Sequence, residues 1–445
     1  MDDLAGQRVT VMGVGRSGGG IGVTRFLAGA GADVLLTDRL GESDLADALG
    51  SIANLVDSGA VRLRLGEHNV SDFTTCELVV ANPAVPRPWD DRFLRAAAAA
   101  HIPVTTEIAL LIERLPTRLR TIGVTGTAGK STTAAMIAHT LRHTGFPVHL
   151  GGNIGGSLLD SLSDIAGDDW VVLELSSAML HWLGQWSPHI GVITNFSPNH
   201  LDWHGTLEHY RRSKQRLLDY QLQGDFALLG ERDLPFTANK GVHVSGPYCL
   251  PNGLGPDLAL RVPGAHNAQN AMLAATAAAI ATGASADDML RSLESFTGLE
   301  HRLEFVGAFD GVRFYNDSKS TTPRAVVMAL AALESHGRIH LILGGYDKGV
   351  DPGELVGPCA RCASVLTIGD TGRRLASLLA PGARYCRTLD RAVEQALSGV
   401  QPGDTVLLSP GCASWDQFRD FQERGMRFKD LVRTWANAPA AGRTR

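Results

Sequence analysis

Short apolar runs alternate with helical patterns along the whole chain. The runs fall at Arg8–Val11, Val34–Leu36, Leu78–Val80, Thr121–Val124, Val171–Leu173, Val192–Thr194, Leu341–Leu343, Val365–Ile368 and Val406–Leu408. Each is nearly continuous in apolar or β-branched residues and leads into a turn and a helical stretch. Strands of that kind are buried on both faces, which predicts parallel sheets covered by helices and an α/β fold class. The pattern starts afresh twice, once after Leu115-Pro116 and once near Gly298–Arg302, beyond an Ala-rich helix expected over Asn267–Thr282. Three α/β domains are therefore expected, over residues 1–114, 115–299 and 300–445. In open parallel sheets ligands bind beyond the carboxyl ends of the strands, so the polar residues just after each run are the candidates for chemistry.

Composition narrows the classes. With 44% hydrophobic and 20% charged residues, the chain reads as a soluble globular protein. The net charge of −5 is spread along the chain, which argues against a nucleic-acid-binding surface. The opening MDDLAGQRVTVMG has neither a basic nor an apolar leader region, and no apolar run approaches the ~18 residues of a membrane span. Six cysteines are too few for a disulfide scaffold, so a reducing compartment, the cytoplasm, is expected. Cys359 and Cys362 form a CxxC, with Cys386 and Cys412 further on. Their uneven gaps suit small buried thiols better than zinc.

The run Thr121–Val124 leads into Thr125-Gly126-Thr127-Ala128-Gly129-Lys130-Ser131-Thr132, and a helical stretch follows to about Gly145. Glycines let backbone N–H groups turn inward around a phosphate, and a helix N-terminus favours the anion. Lys130 would reach the terminal phosphates and Ser131 would ligate magnesium. The strict phosphate-loop pattern wants glycine where Val124 stands, so a Gly-rich turn with an incidental lysine is the plainer reading. The strand before it and the helix after it favour the phosphate loop.

A second such turn, Gly13-Val14-Gly15-Arg16-Ser17-Gly18, follows the first run, and Asp38 closes the second. Alone this fits NAD, FAD or any nucleotide diphosphate such as a UDP-sugar. Three further polar residues stand out. Glu174 directly follows Val171–Leu173 and could ligate a metal, or could simply be a helix N-terminal acid. His200 lies in the loop after Val192–Thr194. Lys214 falls within a helix expected over Thr206–Gln221, on one face with Leu207, Tyr210, Leu217 and Leu218, while Arg212 and Arg216 point away. A desolvated lysine favours the neutral amine, which can add carbon dioxide and become a metal-binding carbamate. A lysine that snorkels to solvent is the alternative.

Together these motifs resemble the Mur ligases of peptidoglycan synthesis over nearly the whole chain. The resemblance rests on TGTAGKSTT, LELSS at 173–177, Asn195 with Asn199-His200-Leu201-Asp202, HNAQNA at 266–271, Glu300-His301-Arg302, NDSKST at 316–321, Gly344-Gly345 with Lys348, and SPGCASWDQF at 409–418. It implies a Rossmann-like first domain for the UDP-sugar, a central P-loop domain for ATP, and a Rossmann-like third domain for the incoming amino acid. It also implies an ATP- and Mg2+-dependent amide ligase that passes through an acyl phosphate, acting as a monomer. The implied substrates are UDP-N-acetylmuramoyl-L-alanine and glutamate, D-glutamate before L-glutamate. Gly126, Thr127, Ala128, Gly129, Lys130, Ser131, Thr132, Asn267, Asn270, Arg302 and Asp317 would bind the nucleotide. Ser17, Asp38, Arg39 and Asn153 would hold the UDP-sugar, and Thr321, Lys348, Ser414 and Phe421 the glutamate. Lys130, Glu174, His200, Lys214 and Lys319 would serve catalysis, and Ser131, Glu174, His200 and carbamylated Lys214 the metal. The ATP site would be complete only when the second and third domains close.

The chain departs from the family pattern at Ala128, which stands where asparagine is usual. It departs again at the Gly-rich stretch Arg16–Gly22, at Asn82-Pro83-Ala84-Val85, and at Thr322. A folylpolyglutamate-synthetase-like ligase, a P-loop switch or motor, and a nicotinamide oxidoreductase are the competing classes.

Overall fold

The computed structural model describes residues 4–14, 19–231, 233–246, 260–262, 264–347, 349, 351–379 and 381–437. Ser17 and Lys348 lie outside the described residues. The chain forms two compact units, Met1–Pro251 with Gln269–Leu293, and Asn252–Ala268 with Glu294–Arg445. The fold class is α/β, as the alternation of apolar runs and helical patterns predicts.

The first unit holds two sheets. One contains β1 (Arg8–Met12), β2 (Asp33–Asp38), β3 (Val61–Leu65), β4 (Leu78–Ala81) and β5 (Val104–Thr105), in the order β3-β2-β1-β4-β5. Its strand pairs are parallel. The order reverses between β1 and β4, which opens a crevice at their carboxyl ends. The other contains β6 (Thr121–Thr125), β7 (Val148–Gly152), β8 (Trp170–Glu174), β9 (Ile190–Ile193), β10 (Phe226–Leu229) and β11 (His243–Ser245), in the order β11-β10-β9-β6-β8-β7. All its pairings are parallel too. Every residue of β6, β8 and β9 is buried, so these central strands read as unbroken apolar runs. One apolar cluster joins both sheets, from Val9 and Val34 to Val171, Leu173 and Leu217. The boundary expected at residue 114 therefore falls within a single packed unit.

The second unit has one sheet of β12 (Glu304–Phe309), β13 (Val312–Asn316), β14 (Ile339–Gly344), β15 (Ser364–Ile368), β16 (Ala383–Arg387) and β17 (Thr405–Leu408), in the order β12-β13-β17-β14-β15-β16. Here the expectation of purely parallel sheets needs correcting, because β12 pairs antiparallel with β13. The two residues Asp310 and Gly311 between them make a tight hairpin, with both φ values positive, at 52° and 78°. Such an edge strand lacks the continuous apolar run that marks a central parallel strand.

Candidate active site

The register of the six-stranded sheet aligns its carboxyl ends. Val124 pairs with Glu174, Thr125 with Ile193, and Gly152 with Glu174. The segments after β6, β7, β8 and β9 therefore leave the sheet side by side.

The loop after β6 turns through Gly126 at φ +145° and Gly129 at φ +79°, and the helix Lys130–His143 follows directly. Glycine is required at both positions. A Cβ at Gly126 would lie 1.9 Å from Thr194 Oγ1, and one at Gly129 would lie 2.6 Å from Asn270 Oδ1. The segment after β9 braces the loop. Thr194 Oγ1 donates to Ala128 O at 2.6 Å, Ala128 N donates to Asn195 Oδ1 at 2.9 Å, and Thr127 N donates to Asn195 O at 3.1 Å. Ala128 is thus held through its backbone, which explains how the loop tolerates alanine there. Gly126→Ala is expected to destabilise the protein by about 2 kcal/mol or more, since it combines a strained φ with a clash. It should also raise the KM for a nucleotide bound at this loop. Thermal melting and nucleotide kinetics check this, and an unchanged pair of values would refute it.

Lys130 Nζ donates to Thr127 O at 3.0 Å, across the mouth of the loop. Ser131 and Thr132 are buried at the start of the helix. Lys214 is 1% exposed and donates to Gly126 O at 2.7 Å and to Thr125 Oγ1 at 3.3 Å. Its Nζ also sits 4.8 Å from the centre of the Tyr210 ring. Burial, then the charge of Lys130, push the Lys214 amine well below its ordinary pKa, against a smaller opposing pull from Glu174. The snorkelling alternative is thereby excluded. Lys214 lies on the helix Leu207–Asp219, capped by Thr206, whose Oγ1 accepts from His209 N at 3.1 Å. Tyr210, Lys214, Leu217 and Leu218 form its buried face, but Leu207 is 41% exposed. As the first residue of the helix, Leu207 stands one turn short of that core. Arg216 does not point wholly outward, because its Nε donates to Leu183 O at 3.1 Å.

Glu174, 1% exposed, ends β8. Its Oε1 accepts from Asn153 Nδ2 at 3.1 Å, whereas its buried Oε2 has no hydrogen-bond partner among the described residues. A buried acceptor of that kind is costly unless something binds it. Asn153, expected on the UDP-sugar, is placed beside this carboxylate. His200 caps the short helix Leu201–His204 in the left-handed region, at φ 52°. Burial and the charges of Lys130 and Lys214 lower its pKa, which keeps the imidazole neutral and able to ligate a metal. The hydroxyl of Ser131, the unpartnered oxygen of Glu174 and neutral His200 suit a divalent cation, and the glycine-lined cradle suits phosphates. Thr127 Oγ1 and the Tyr210 hydroxyl lie 3.1 Å apart. His204, which is buried, went unnoticed in the sequence.

In the first sheet, Asp38 pins its own turn. Its Oδ2 accepts from Val14 N at 2.8 Å and its Oδ1 from Leu40 N at 2.9 Å. A Cβ at Gly20 would lie 2.3 Å from Gly13 O, so the helix Gly19–Gly29 packs hard against this turn. Arg39 is exposed and approaches Asp91 Oδ2 at 3.4 Å.

Asn267 and Asn270 are both buried on the helix Ala265–Thr282. Within the second unit, the loop after β13 is held by the buried Asp317. That carboxyl accepts from Ser409 Oγ at 2.7 Å and from Leu303 N at 3.1 Å. Burial raises its pKa to about 6, against those hydrogen bonds. Lys319 N donates to His301 O at 2.9 Å, and Lys319 Nζ lies 5.5 Å from the centre of the Phe421 ring. Ser414 is buried beyond β17. Thr321 lines a small cleft with Tyr346, Asp347, Thr371, Arg374 and Cys412. Arg302 forms an isolated bridge with Leu299.

Sequence reasoning missed Arg424. It is fully buried and donates to Ser318 O at 2.9 Å, Cys412 O at 3.1 Å and Ala413 O at 3.1 Å, tying the loops after β13 and β17 together. Its signal was a charge in line with Phe428 and Val432 on the buried face of the helix Phe421–Asn437. Cys359 and Cys362 belong to an apolar cluster, and burial pushes their thiols up to about 11 and about 12. Among the described residues no group of three His, Cys, Asp or Glu side chains is placed to hold a metal.

Two family models match the chain, the Mur ligase middle domain over residues 124–248 and the Mur ligase glutamate ligase domain over residues 301–412. The chain is 39% identical to the UDP-N-acetylmuramoylalanine–D-glutamate ligase of Pelotomaculum thermopropionicum, over 97% of this chain and 98% of that protein. It is 37% identical to the enzyme of the same name from a Roseiflexus species, over 97% and 99%. Among solved structures it resembles the UDP-N-acetylmuramate-alanine ligase of Thermotoga maritima, with a TM-score of 0.59 at 19% identity, over 96% of this chain and 99% of that one. It also resembles the MurF ligase of Thermotoga maritima in complex with ADP, with a TM-score of 0.58 at 15% identity, over 98% and 99%.

Proposed function

The chain belongs to the Mur ligase family, and from that premise we propose that it joins D-glutamate to UDP-N-acetylmuramoyl-L-alanine, using ATP. Two relatives alike over nearly their whole length carry that activity in their names, which supports the substrate choice. The observation that carries the chemistry is the meeting of Lys130, Lys214 and the half-satisfied Glu174 around a glycine-lined cradle at the carboxyl end of the six-stranded sheet.

The reaction has two steps. The substrate carboxylate attacks the γ-phosphorus of ATP, a new P–O bond forms, and ADP leaves. The glutamate amine then attacks the acyl carbon, phosphate leaves, and the amine gives up a proton. Both partners of the first step are anions, so catalysis is mostly charge neutralisation and positioning. Backbone N–H groups in the first turn of the helix Lys130–His143 would face the phosphates. Lys130 supplies the mobile cation. Ser131, Glu174, His200 and Lys214 as its carbamate would hold Mg2+, which when bound screens the phosphate charges. Asp38 fixes the first turn for the UDP-sugar, and the second unit receives the amino acid through Lys319, Thr321, Ser414 and Phe421. We place the protein in the cytoplasm. No helix among the described residues is long and apolar enough to cross a membrane.

The nicotinamide reading is disfavoured by the match to the Mur ligase family over nearly the whole chain. UDP should stabilise the protein in a thermal-shift assay and NAD should not. The deciding experiment is ADP release with UDP-N-acetylmuramoyl-L-alanine and each glutamate enantiomer. D-Glutamate is expected to react at least about tenfold faster, a difference of ~1.4 kcal/mol at the transition state. Faster reaction of L-glutamate would make this an L-glutamate-adding enzyme.

A further inference from the structure

Three segments carry the groups assigned to the metal and phosphates. Glu174 ends β8, three residues before Ser177. His200 starts the short helix that ends at His204. Lys214 lies on the helix that also carries His209. One residue links all three segments. His204 is 2% exposed, its Nε2 lies 2.9 Å from the buried Ser177 Oγ, and its Nδ1 lies 2.8 Å from His209 Nδ1. Its backbone N donates to His200 O at 2.9 Å, and its ring packs 5.1 Å from that of Tyr210.

We propose that His204 is a positioning residue that sets Glu174, His200 and Lys214 relative to one another. This inference rests on the reading above, in which those three groups surround the metal. Both ring nitrogens are used, and a neutral ring has one N–H, so the bonds must run in one direction. Either His204 donates to His209 and accepts from Ser177, or it accepts from His209 and donates to Ser177. In both cases three segments are locked by one planar, directional connector. A lysine or arginine in the same place would make the tie but would add a cation beside the metal site.

Outer hydrogen bonds that orient metal ligands typically change affinity 10- to 100-fold when removed. The test is Mn2+ binding to the full chain in the presence of ADP, followed by electron paramagnetic resonance. His204→Phe keeps a ring but loses both bonds, and it is expected to weaken Mn2+ binding by about tenfold or more. The Mg2+ concentration needed for half-maximal activity should rise in parallel, and the ¹³C signal of a Lys214 carbamate should fall. His204→Gln, whose amide still reaches toward Ser177, should fall between the two. A purely structural role would lower the melting temperature and leave the Mn2+ dissociation constant alone, so a folded His204→Phe with wild-type Mn2+ affinity overturns the inference. If His204→Phe does not fold, Ser177→Ala cuts the same chain from its other end. A loss of about tenfold is then expected, and no loss overturns the proposal. The reading it rests on is tested separately by Glu174→Gln. Unchanged Mn2+ binding in that variant would remove the metal assignment, whereas weakened binding there together with unchanged Mn2+ binding in His204→Phe would remove only the role of His204.

Discussion

Lys130→Ala is expected to lower ligation by about a thousandfold or more while the fold survives. Negative charge is already crowded on the triphosphate and the attacking carboxylate, and it shifts during transfer. A cation that follows it stabilises the transition state more than the ground state. Lys130 is placed for this. It opens the helix Lys130–His143, its stem is only partly buried, and its Nζ rests on Thr127 O across the loop. Alanine is a good helix former, so the helix should persist. The variant has a second consequence. Lys130 is one of the charges that hold the Lys214 amine below its ordinary pKa. Removing it should let that pKa rise, so carbamate formation would need a higher pH. ADP release by a protein of unchanged circular dichroism measures the main effect. Near-wild-type turnover in such a protein would end the phosphate-loop assignment.

The parts of this architecture legible in the sequence are those where burial and local pattern agree. The central strands β6, β8, β9, β14 and β17 are fully buried, so each appears as an apolar run with a clear end. The proposed chemistry sits at those ends, which is why Lys130, Glu174 and His200 could be singled out without coordinates. Edge strands were harder. The sequence of β3, Val61–Leu65, alternates apolar and basic residues, and β12 is only partly buried. Their partners, and the antiparallel sense of β12, depend on contacts that no local pattern reports. The same limit applies to the site. Asn153 reads as a polar residue after a strand. Only the pairing of Gly152 with Glu174 brings it to the carboxylate. His204 and Arg424 hold loops that are distant in sequence, and a buried polar connector leaves little local trace beyond one polar residue among apolar neighbours. Lys214 is the exception. Its helical spacing alone put a lysine on an apolar face, and the structure shows that face buried, with Leu207 and Arg216 misjudged.

Lys214→Ala is expected to lose at least about a hundredfold in rate and to recover part of it when formate or acetate is added. The amine is buried, lies against Gly126 O and Thr125 Oγ1, and is depressed in pKa by desolvation. A charged ammonium there would face Lys130 at close range. A neutral amine avoids that repulsion, and it can go further by adding carbon dioxide. An N–C bond forms, a proton leaves to solvent, and the side chain changes from a would-be cation to an anion. That reverses the local electrostatics. Two like charges beside the phosphate loop become an opposed pair, and an extra oxygen donor joins Glu174, whose Oε2 has no other partner among the described residues. Alanine removes both the stem and the anion, and leaves room that a small carboxylate can enter. A larger acid such as benzoate should not rescue, because the space left is that of a lysine stem beside Tyr210. Buffer stripped of carbon dioxide should slow the wild-type enzyme and leave the formate-rescued variant unaffected. That contrast separates a carbamate from a plain lysine, since a plain lysine would respond to neither treatment. Full activity in Lys214→Ala, or an unmodified Lys214 in enzyme that is turning over, would show that the buried amine acts as a structural donor to Gly126 O alone.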